Sequence, residues 1–496
     1  MLKTGEQHLE SLRDGRRVYI GDELVEDVIT HPAFRNAAQS FAMIYDRKRD
    51  PENIGVMAYE DEDGELSTSW YLKPKSKADL RKRRETHRRV AEWTCGLIGR
   101  SPDHVASFVT GLQWNPDLFE ENLKGSAAAL QGYYDYMRKN DIFACYTVLP
   151  PQGARQPELY QREGLAVPTL RVTAEDREGV TLNGMKMLGT SAVFSNETWV
   201  GNLLPLGEEQ AAESITCAVP LNWDGVTIWT RKPFERFAIS EFDAPFAWKF
   251  DETDSMVIFE DVKVPWERVF THNNAALSRN IYFKTPSHAM GNHQSNVRFS
   301  EKLKLILGIA RKSAELNNVL QVPAVRDTLG RLAAAEAGLN AMISGQVEDA
   351  EEMIPGHFNV NRRHMYGALH WCTQNYATIC ETVRELMGGG PFQMPADVSV
   401  IKNPELREKF ETYWSVPGQS AVERMKFLKM GWDLLGSDFA GRHQQYERFY
   451  AGPAFINTLY SFIECPWDEM TGTVDRVLAE YDIPSESDVR RTVAAE

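Results

Sequence analysis

Apolar and polar positions fall into three regimes along the chain. Residues 76 to 99 are rich in Arg and Lys and carry Val90, Trp93, Leu97 and Ile98, which predicts a long helix closed by Gly99. Ser101-Pro102-Asp103 then reads as the next helix start, with Ser as cap and Pro at the first helical position. A turn at Gly15-Arg16-Arg17 feeds a short β-type run, Val18 to Gly21. Near Val148 the texture changes, with Leu149-Pro150-Pro151-Gln152-Gly153 acting as a cluster of breakers. LRVTAEDREGVTLNG, SITCAVPLNWDGVTIWT and SMVIFEDVKVPWERV are short, β-branched and aromatic, and read as strands and turns. Past residue 290 helical spacing returns, first in Phe299, Leu303, Ile306, Ile309 and Ala310, then in Leu329, Leu332, Ala335, Leu339 and Ile343. Helices, a β-rich middle and helices again predict an α+β protein. The expected domains are a helical one over residues 1–147, a β-barrel over 148–280 and a helical bundle over 281–496.

Composition narrows the class. A chain of 496 residues, 43% hydrophobic and 25% charged, is long enough for two or three packed domains and has the balance of a globular protein. A net charge of -15 argues against general nucleic-acid binding, which needs a basic surface. The local exception is LRKRRETHRRV, residues 80–90, read as a solvated helix face or subunit contact, with phosphate binding as the sharper alternative. Six scattered cysteines without a Cys-x-x-Cys pair read as reduced thiols. The N-terminus lacks a signal-peptide core and no apolar run reaches membrane length, so a cytoplasmic location is expected.

Several motifs occur in a fixed order. LNGMKMLGTSAVFSNE (residues 182–197) and VIFEDVKVPWERVF (257–270) resemble the strand patterns of the acyl-CoA dehydrogenase superfamily, whose first turn lies beside a flavin ring. TGEQHLESLRDGRRVYIGDELVEDVITHPAF (4–34), GRSPDHV (99–105) and LLGSDFAGRHQQYERFYAG (434–452) resemble the large component of the 4-hydroxyphenylacetate 3-monooxygenase and chlorophenol monooxygenase family. The resemblance covers nearly the whole chain. It implies an acyl-CoA-dehydrogenase-like fold, and FADH2 supplied by a separate NAD(P)H:flavin reductase. It also implies reaction with O2 through a flavin C4a-hydroperoxide, hydroxylation of a phenol, and a homotetramer.

That chemistry calls for a base, a cation and a dry aromatic pocket. Arg100 matches the family's active-site arginine; its guanidinium stays charged and could hold a phenolate. His288, in the loop-like KTPSHAMGNHQSN, is the matching base, with His293 as a competitor. Thr190 and Ser191 lie in the flavin-proximal turn, where a hydroxyl could meet the flavin or simply bond its own backbone. The resemblance carries Tyr146, Thr147 and Gln152 over as cofactor-binding. The same holds for Gly388, Gly389 and Gly390, which read equally well as a helix C-cap. Phe439, Arg442, His443, Gln445 and Tyr446 fall in the C-terminal motif, which approaches the substrate in relatives or packs subunits.

Two departures bear on the substrate. The 4-hydroxyphenylacetate enzymes carry a tyrosine at the position of His104 and a histidine near that of Tyr146. Both positions contact that phenol in the family, so His104 joins Arg100 and His288 as substrate-binding. Halogenated, nitro-substituted or tyrosyl-type phenols become the expected class. Rival readings are weaker. The iron–sulfur cluster of a 4-hydroxybutyryl-CoA dehydratase needs cysteines where this chain has Gly99 and Asp103. An acyl-CoA dehydrogenase needs a carboxylate base, and Glu381, Glu385 and Glu447 sit in no matching motif. His357, His364 and His370 lack metal-ligand spacing, so no metal is expected. A non-enzymatic helical scaffold leaves Arg100 and His288 unexplained.

Overall fold

A computed structural model describes residues 2–154 and 157–485. The N-terminal region supplies helices α1 (Arg35–Arg47), α2 (Lys77–Trp93), α3 (Pro102–Leu112) and α4 (Ser126–Asn140). The C-terminal region supplies α5 (Ser287–Leu316), α6 (Pro323–Glu348), α7 (Arg362–Met387), α8 (Ala421–Leu435), α9 (Asp438–Arg448), α10 (Ala454–Ile463) and α11 (Trp467–Leu478).

The principal strands are β1 (Arg17–Ile20), β2 (Glu23–Val25), β3 (Ala144–Thr147), β4 (Arg171–Glu175) and β5 (Gly179–Lys186). They continue with β6 (Glu197–Val200), β7 (Thr216–Pro220), β8 (Val226–Thr230), β9 (Ser255–Pro265) and β10 (Val269–Thr271). They form a six-stranded sheet, β2-β1-β8-β9-β5-β4, and a four-stranded sheet, β10-β7-β6-β3. The β-rich middle expected over 148–280 supplies most of these strands, and β1, β2 and β3 enter the sheets from before residue 148. In β9 the alternation of Val257 and Phe259 with outward neighbours shifts at a bulge before Val262, where Asp261 adopts φ +54.

Helix α2 ends at Trp93, six residues short of the expected Gly99. Cys95 (φ +53) and Gly96 (φ +66) are left-handed, and a Cβ at Gly96 would lie 2.5 Å from the carbonyl of Arg298. The chain therefore leaves the helix to pass tightly under α5, and Leu97 to Ser101 form a loop. The basic run divides between two fates. Arg88 and Arg89 pair with Glu85 and Glu92, while Arg83 and His87 are buried.

The segment KTPSHAMGNHQSN is not a loop. Pro286 precedes the first turn of α5, so His288 and His293 are helical, and α5 begins well before the apolar periodicity that announced it. Every residue from Ser287 to Lys302 is buried, polar ones included. Helix α5 packs on α2, α3, α6 and α7. Its approach to α3 is close: a Cβ at Gly111 would meet the Ser287 backbone at 2.5 Å, and one at Gly291 the Phe108 ring at 1.9 Å. Among the described residues no helix is long and apolar enough to cross a membrane.

Candidate active site

The loop after α2 is held from the β region. Glu252, 1% exposed, accepts from the backbone N–H groups of Gly99 and Arg100 through Oε2, each at 2.9 Å. Its other oxygen accepts from Arg442 Nη1 at 2.7 Å. Arg442 also grips Asp254 with Nε and Nη2, at 2.8 and 2.7 Å. Asp254 takes the Thr190 hydroxyl at 2.7 Å and Arg231 Nε at 2.9 Å. Burial alone would push the Asp254 carboxyl up; Arg442, Arg231 and Thr190 together hold it well below the usual carboxylate range. The turn beside it is strained, with Leu188, Ser191 and Thr253 all at positive φ, and Ser191 N–H donates to the carbonyls of Glu252 and Thr253. One ionic network thus ties Arg100, the 188–191 turn and α9 together.

The Arg100 side chain is directed the other way. Nη2 donates to the Tyr450 carbonyl at 3.2 Å, and the guanidinium lies 4.1 Å from the centre of the Tyr450 ring and 5.7 Å from that of Tyr446. Its Nη1 is buried and has no hydrogen-bond partner among the described residues; the Tyr446 hydroxyl shares that condition. Buried polar atoms are normally paired, so such orphans mark a place where something else binds.

An aromatic enclosure surrounds these groups. His104 packs on Phe108, Tyr146 and Tyr450 at ring-centre distances of 5.1, 6.2 and 6.2 Å. Phe108 also faces Tyr146 at 5.0 Å and His288 at 6.2 Å. His288 lies among Phe283, Tyr366 and Tyr460, with Nδ1 2.8 Å from the Tyr366 hydroxyl. Burial, with a smaller push from Arg279, lowers the His288 imidazole to about 3. His104 is likewise pushed far below its ordinary value, by burial and then by Arg100. Both are therefore neutral near pH 7.

The structure brings Arg100, His104, Tyr146 and His288 into one cluster and joins Thr190, Ser191 and Arg442 to it through Glu252 and Asp254. Arg442 has all its ionic capacity in that network. Other expected residues stand apart or are otherwise engaged. The Thr147 hydroxyl bonds Thr198 at 2.7 Å within the sheet, and Gln152 and Gln445 are exposed. Phe439 packs on His443 at 4.4 Å. Gly388 (φ +63) caps α7, its N–H donating to Arg384 and Glu385 carbonyls. His293 is fixed by Gln346 at 2.7 Å.

Of the carboxylates weighed for a dehydrogenase, Glu447 is locked between Arg298 and Lys302, at 2.7 and 2.9 Å. Burial pushes its carboxyl up, but the two cations outweigh it and hold it at about 2. Glu381 pairs with Arg384 at the surface, and Glu385 is exposed. Asp103, at a dehydratase cysteine position, bonds His87 at 2.7 Å. Sequence reasoning missed Glu252, Asp254, Tyr450 and Gln294. Tyr450 and Gln294 lay inside the segments LLGSDFAGRHQQYERFYAG and KTPSHAMGNHQSN; Glu252 and Asp254 carry no local signal.

N- and C-terminal helical regions that pack on each other, with two sheets between them in the sequence, make an acyl-CoA-dehydrogenase-like α+β fold. The chain belongs to the 4-hydroxyphenylacetate 3-hydroxylase family: its N-terminal pattern matches residues 4–271 and its C-terminal pattern residues 278–479. It is 28% identical to the pyoverdin chromophore biosynthetic protein PvcC of Pseudomonas aeruginosa, over 97% of this chain and 96% of that one. It is 27% identical to the oxygenase component of a Rhodococcus 4-nitrophenol 2-monooxygenase, over 97% and 92%. The crystal structure of the oxygenase component HpaB of 4-hydroxyphenylacetate 3-monooxygenase, complexed with FAD and 4-hydroxyphenylacetate, superposes with a TM-score of 0.89 at 27% identity, covering 96% of this chain and 98% of that one.

Proposed function

We propose that this chain is the oxygenase component of a two-component monooxygenase that uses FADH2 and O2 to hydroxylate a phenol. The observation that carries the reading is the buried, unpartnered Nη1 of Arg100 inside an aromatic enclosure that also holds neutral imidazoles. A fixed cation of this kind stabilises a phenolate, whose ortho and para carbons are more nucleophilic than those of the phenol.

The residues fit a flavin. Thr190 donates its proton to Asp254, which leaves its oxygen free to accept an N–H, and the strained 188–191 turn is pinned on both sides. Thr190, Ser191 and the Tyr146 segment would line the ring system. Gly388 to Gly390 and Gln152 would lie toward the rest of FAD, and Thr147 would serve through its backbone. Bound FADH2 supplies the electrons that activate O2. The chain itself holds the phenolic oxygen on Arg100, excludes water with its aromatic walls, and takes the phenolic proton on a neutral imidazole. His288 is the imidazole the resemblance assigns; His104 is the second one in the same enclosure.

The substrate class follows from His104 and Tyr146. A nitro-substituted, halogenated or tyrosyl-type phenol is favoured, free or carrier-bound. A separate NAD(P)H:flavin reductase, a homotetrameric assembly and a cytoplasmic location complete the reading. The last is supported by six cysteines that are all free thiols. The test mixes the protein and photoreduced FAD with oxygenated buffer and a phenol panel. The expected result is hydroxylated product in step with FADH2 consumed. Oxidation of FADH2 at the free-flavin rate, without product from any phenol, would overturn the reading.

A further inference from the structure

We infer that His104 takes the phenolic proton and that Gln294 and Asp103 are the positioning residues that fit it for that role; the inference rests on the phenol reading above. Asp103 is fully buried and can only accept when ionised. His87 Nδ1 stands 2.7 Å from one of its oxygens, and the Ser101 hydroxyl donates to the other at 2.5 Å. Gln294, also buried, turns its amide nitrogen toward this pair, donating to Ser101 Oγ at 3.2 Å and Asp103 Oδ1 at 3.3 Å. The reverse amide orientation would set oxygen against a carboxylate.

Gln294 Oε1 must therefore face His104 Nδ1, 3.2 Å away, and an acceptor there requires Nδ1 to carry the hydrogen. The Tyr450 hydroxyl, at 3.5 Å from the same nitrogen, is the weaker contact. With Nδ1 protonated, His104 Nε2 is left as a lone pair. That nitrogen is buried and has no partner among the described residues. Asp103 thus sets the amide, the amide sets the tautomer, and the tautomer presents a proton acceptor to the enclosure that holds Arg100.

His288 has the opposite bias. The Tyr366 hydroxyl is buried, and His288 Nδ1 is its only hydrogen-bond partner among the described residues. A phenolic hydroxyl that donates nowhere is costly, so Tyr366 donates to Nδ1 and the His288 hydrogen moves to Nε2. His288 then offers a donor. The two imidazoles are complementary, one accepting and one donating.

In the proposed step the phenolic O–H bond breaks and an N–H bond forms at His104 Nε2. The electron pair stays on the phenolic oxygen, held by Arg100 Nη1. Burial, and then the positive charges of Arg100 and Arg298, keep His104 neutral before the proton moves, and the same charges favour the phenolate. Once formed, the phenolate is the counter-charge that keeps the proton on His104.

The test needs no flavin. The protein is titrated with 4-nitrophenol at a pH well below the probe's own pKa. Binding is measured by equilibrium dialysis, and ionisation by the yellow phenolate band. The unaltered protein should bind the probe and ionise it. His104→Gln should bind it and leave it protonated. Gln294→Met should bind it with a phenolate fraction lowered about tenfold, the equivalent of one pKa unit. His288→Ala, which loses a donor, should bind the probe more weakly, with the phenolate fraction of the bound probe unchanged. Loss of the band in His288→Ala with its persistence in His104→Gln would overturn the proposal while leaving the phenol reading intact. If His104→Gln does not fold, an undiminished band in Gln294→Met overturns it alone. Failure of the unaltered protein to bind the probe would sink the phenol reading and this proposal with it.

Discussion

Arg100 is the residue whose surroundings least resemble those of an ordinary surface arginine. Its backbone is fixed by Glu252, its Nη2 by the Tyr450 carbonyl, and its Nη1 is left unused. Removing a preorganised donor at a developing charge costs on the order of 100- to 1000-fold in rate. Arg100→Ala should therefore lower hydroxylation by about that factor, read as product formed per enzyme at saturating FADH2. His288→Ala should raise the share of FADH2 that ends as H2O2, because a donor to the enclosure is gone. A second residue-scale outcome concerns Glu447. It is 2% exposed between two cations, and Glu447→Gln would strand them, at about 3–5 kcal/mol by denaturant unfolding. Its folded pKa, about 2, lies below the ordinary 4.5. The stability it contributes is therefore complete above 4.5 and is lost as pH falls from there toward 2. Motif and chemistry together marked Arg100, His104 and Thr190, which the structure places in the enclosure and in the network beside it. Glu252, Asp254 and Gln294 were not so marked, because their meaning lies in partners 23 to 193 residues away.

The elements were readable wherever burial is one-sided. Helix α6 and the outer part of α5 follow from their apolar stripes, and β9 from its alternation. The first turns of α5 escaped because every residue from Ser287 to Lys302 is buried, so no apolar face contrasts with a polar one. Its Pro, Gly and Asn residues then imitated a loop. The early end of α2 escaped for a different reason: Cys95 and Gly96 turn left-handed to pass beneath α5, a demand made by another element. The α3–α5 crossing leaves no room for a side chain at Gly291. Gly291→Ala would set a methyl group within the Phe108 ring, and overpacking of a tight core costs about 1–3 kcal/mol. A lower urea midpoint is the expected result, with weakened phenol binding because Phe108 also lies against His104, Tyr146 and His288.

Taken whole, the single chain leaves its C-terminal end conspicuously apolar outside. Phe462, Ile463, Val474 and Val477 are each at least half exposed, and α11 buries none of its residues. Contiguous exposed apolar surface of this kind marks an association site. Val474→Glu combined with Val477→Glu should reduce the assembly state, measured by light scattering coupled to size exclusion. An unchanged mass would overturn this face as a contact of the proposed homotetramer. The same long-range construction governs when the site comes into being. Arg442 meets Asp254 across 188 residues and Glu252 across 190, and Arg100 meets Tyr450 across 350. During synthesis a nascent chain carries Arg100, Thr190 and His288 long before it carries the parts that align them. The enclosure is therefore unaligned in a nascent chain until the segment that carries Arg442 and Tyr450 has been made.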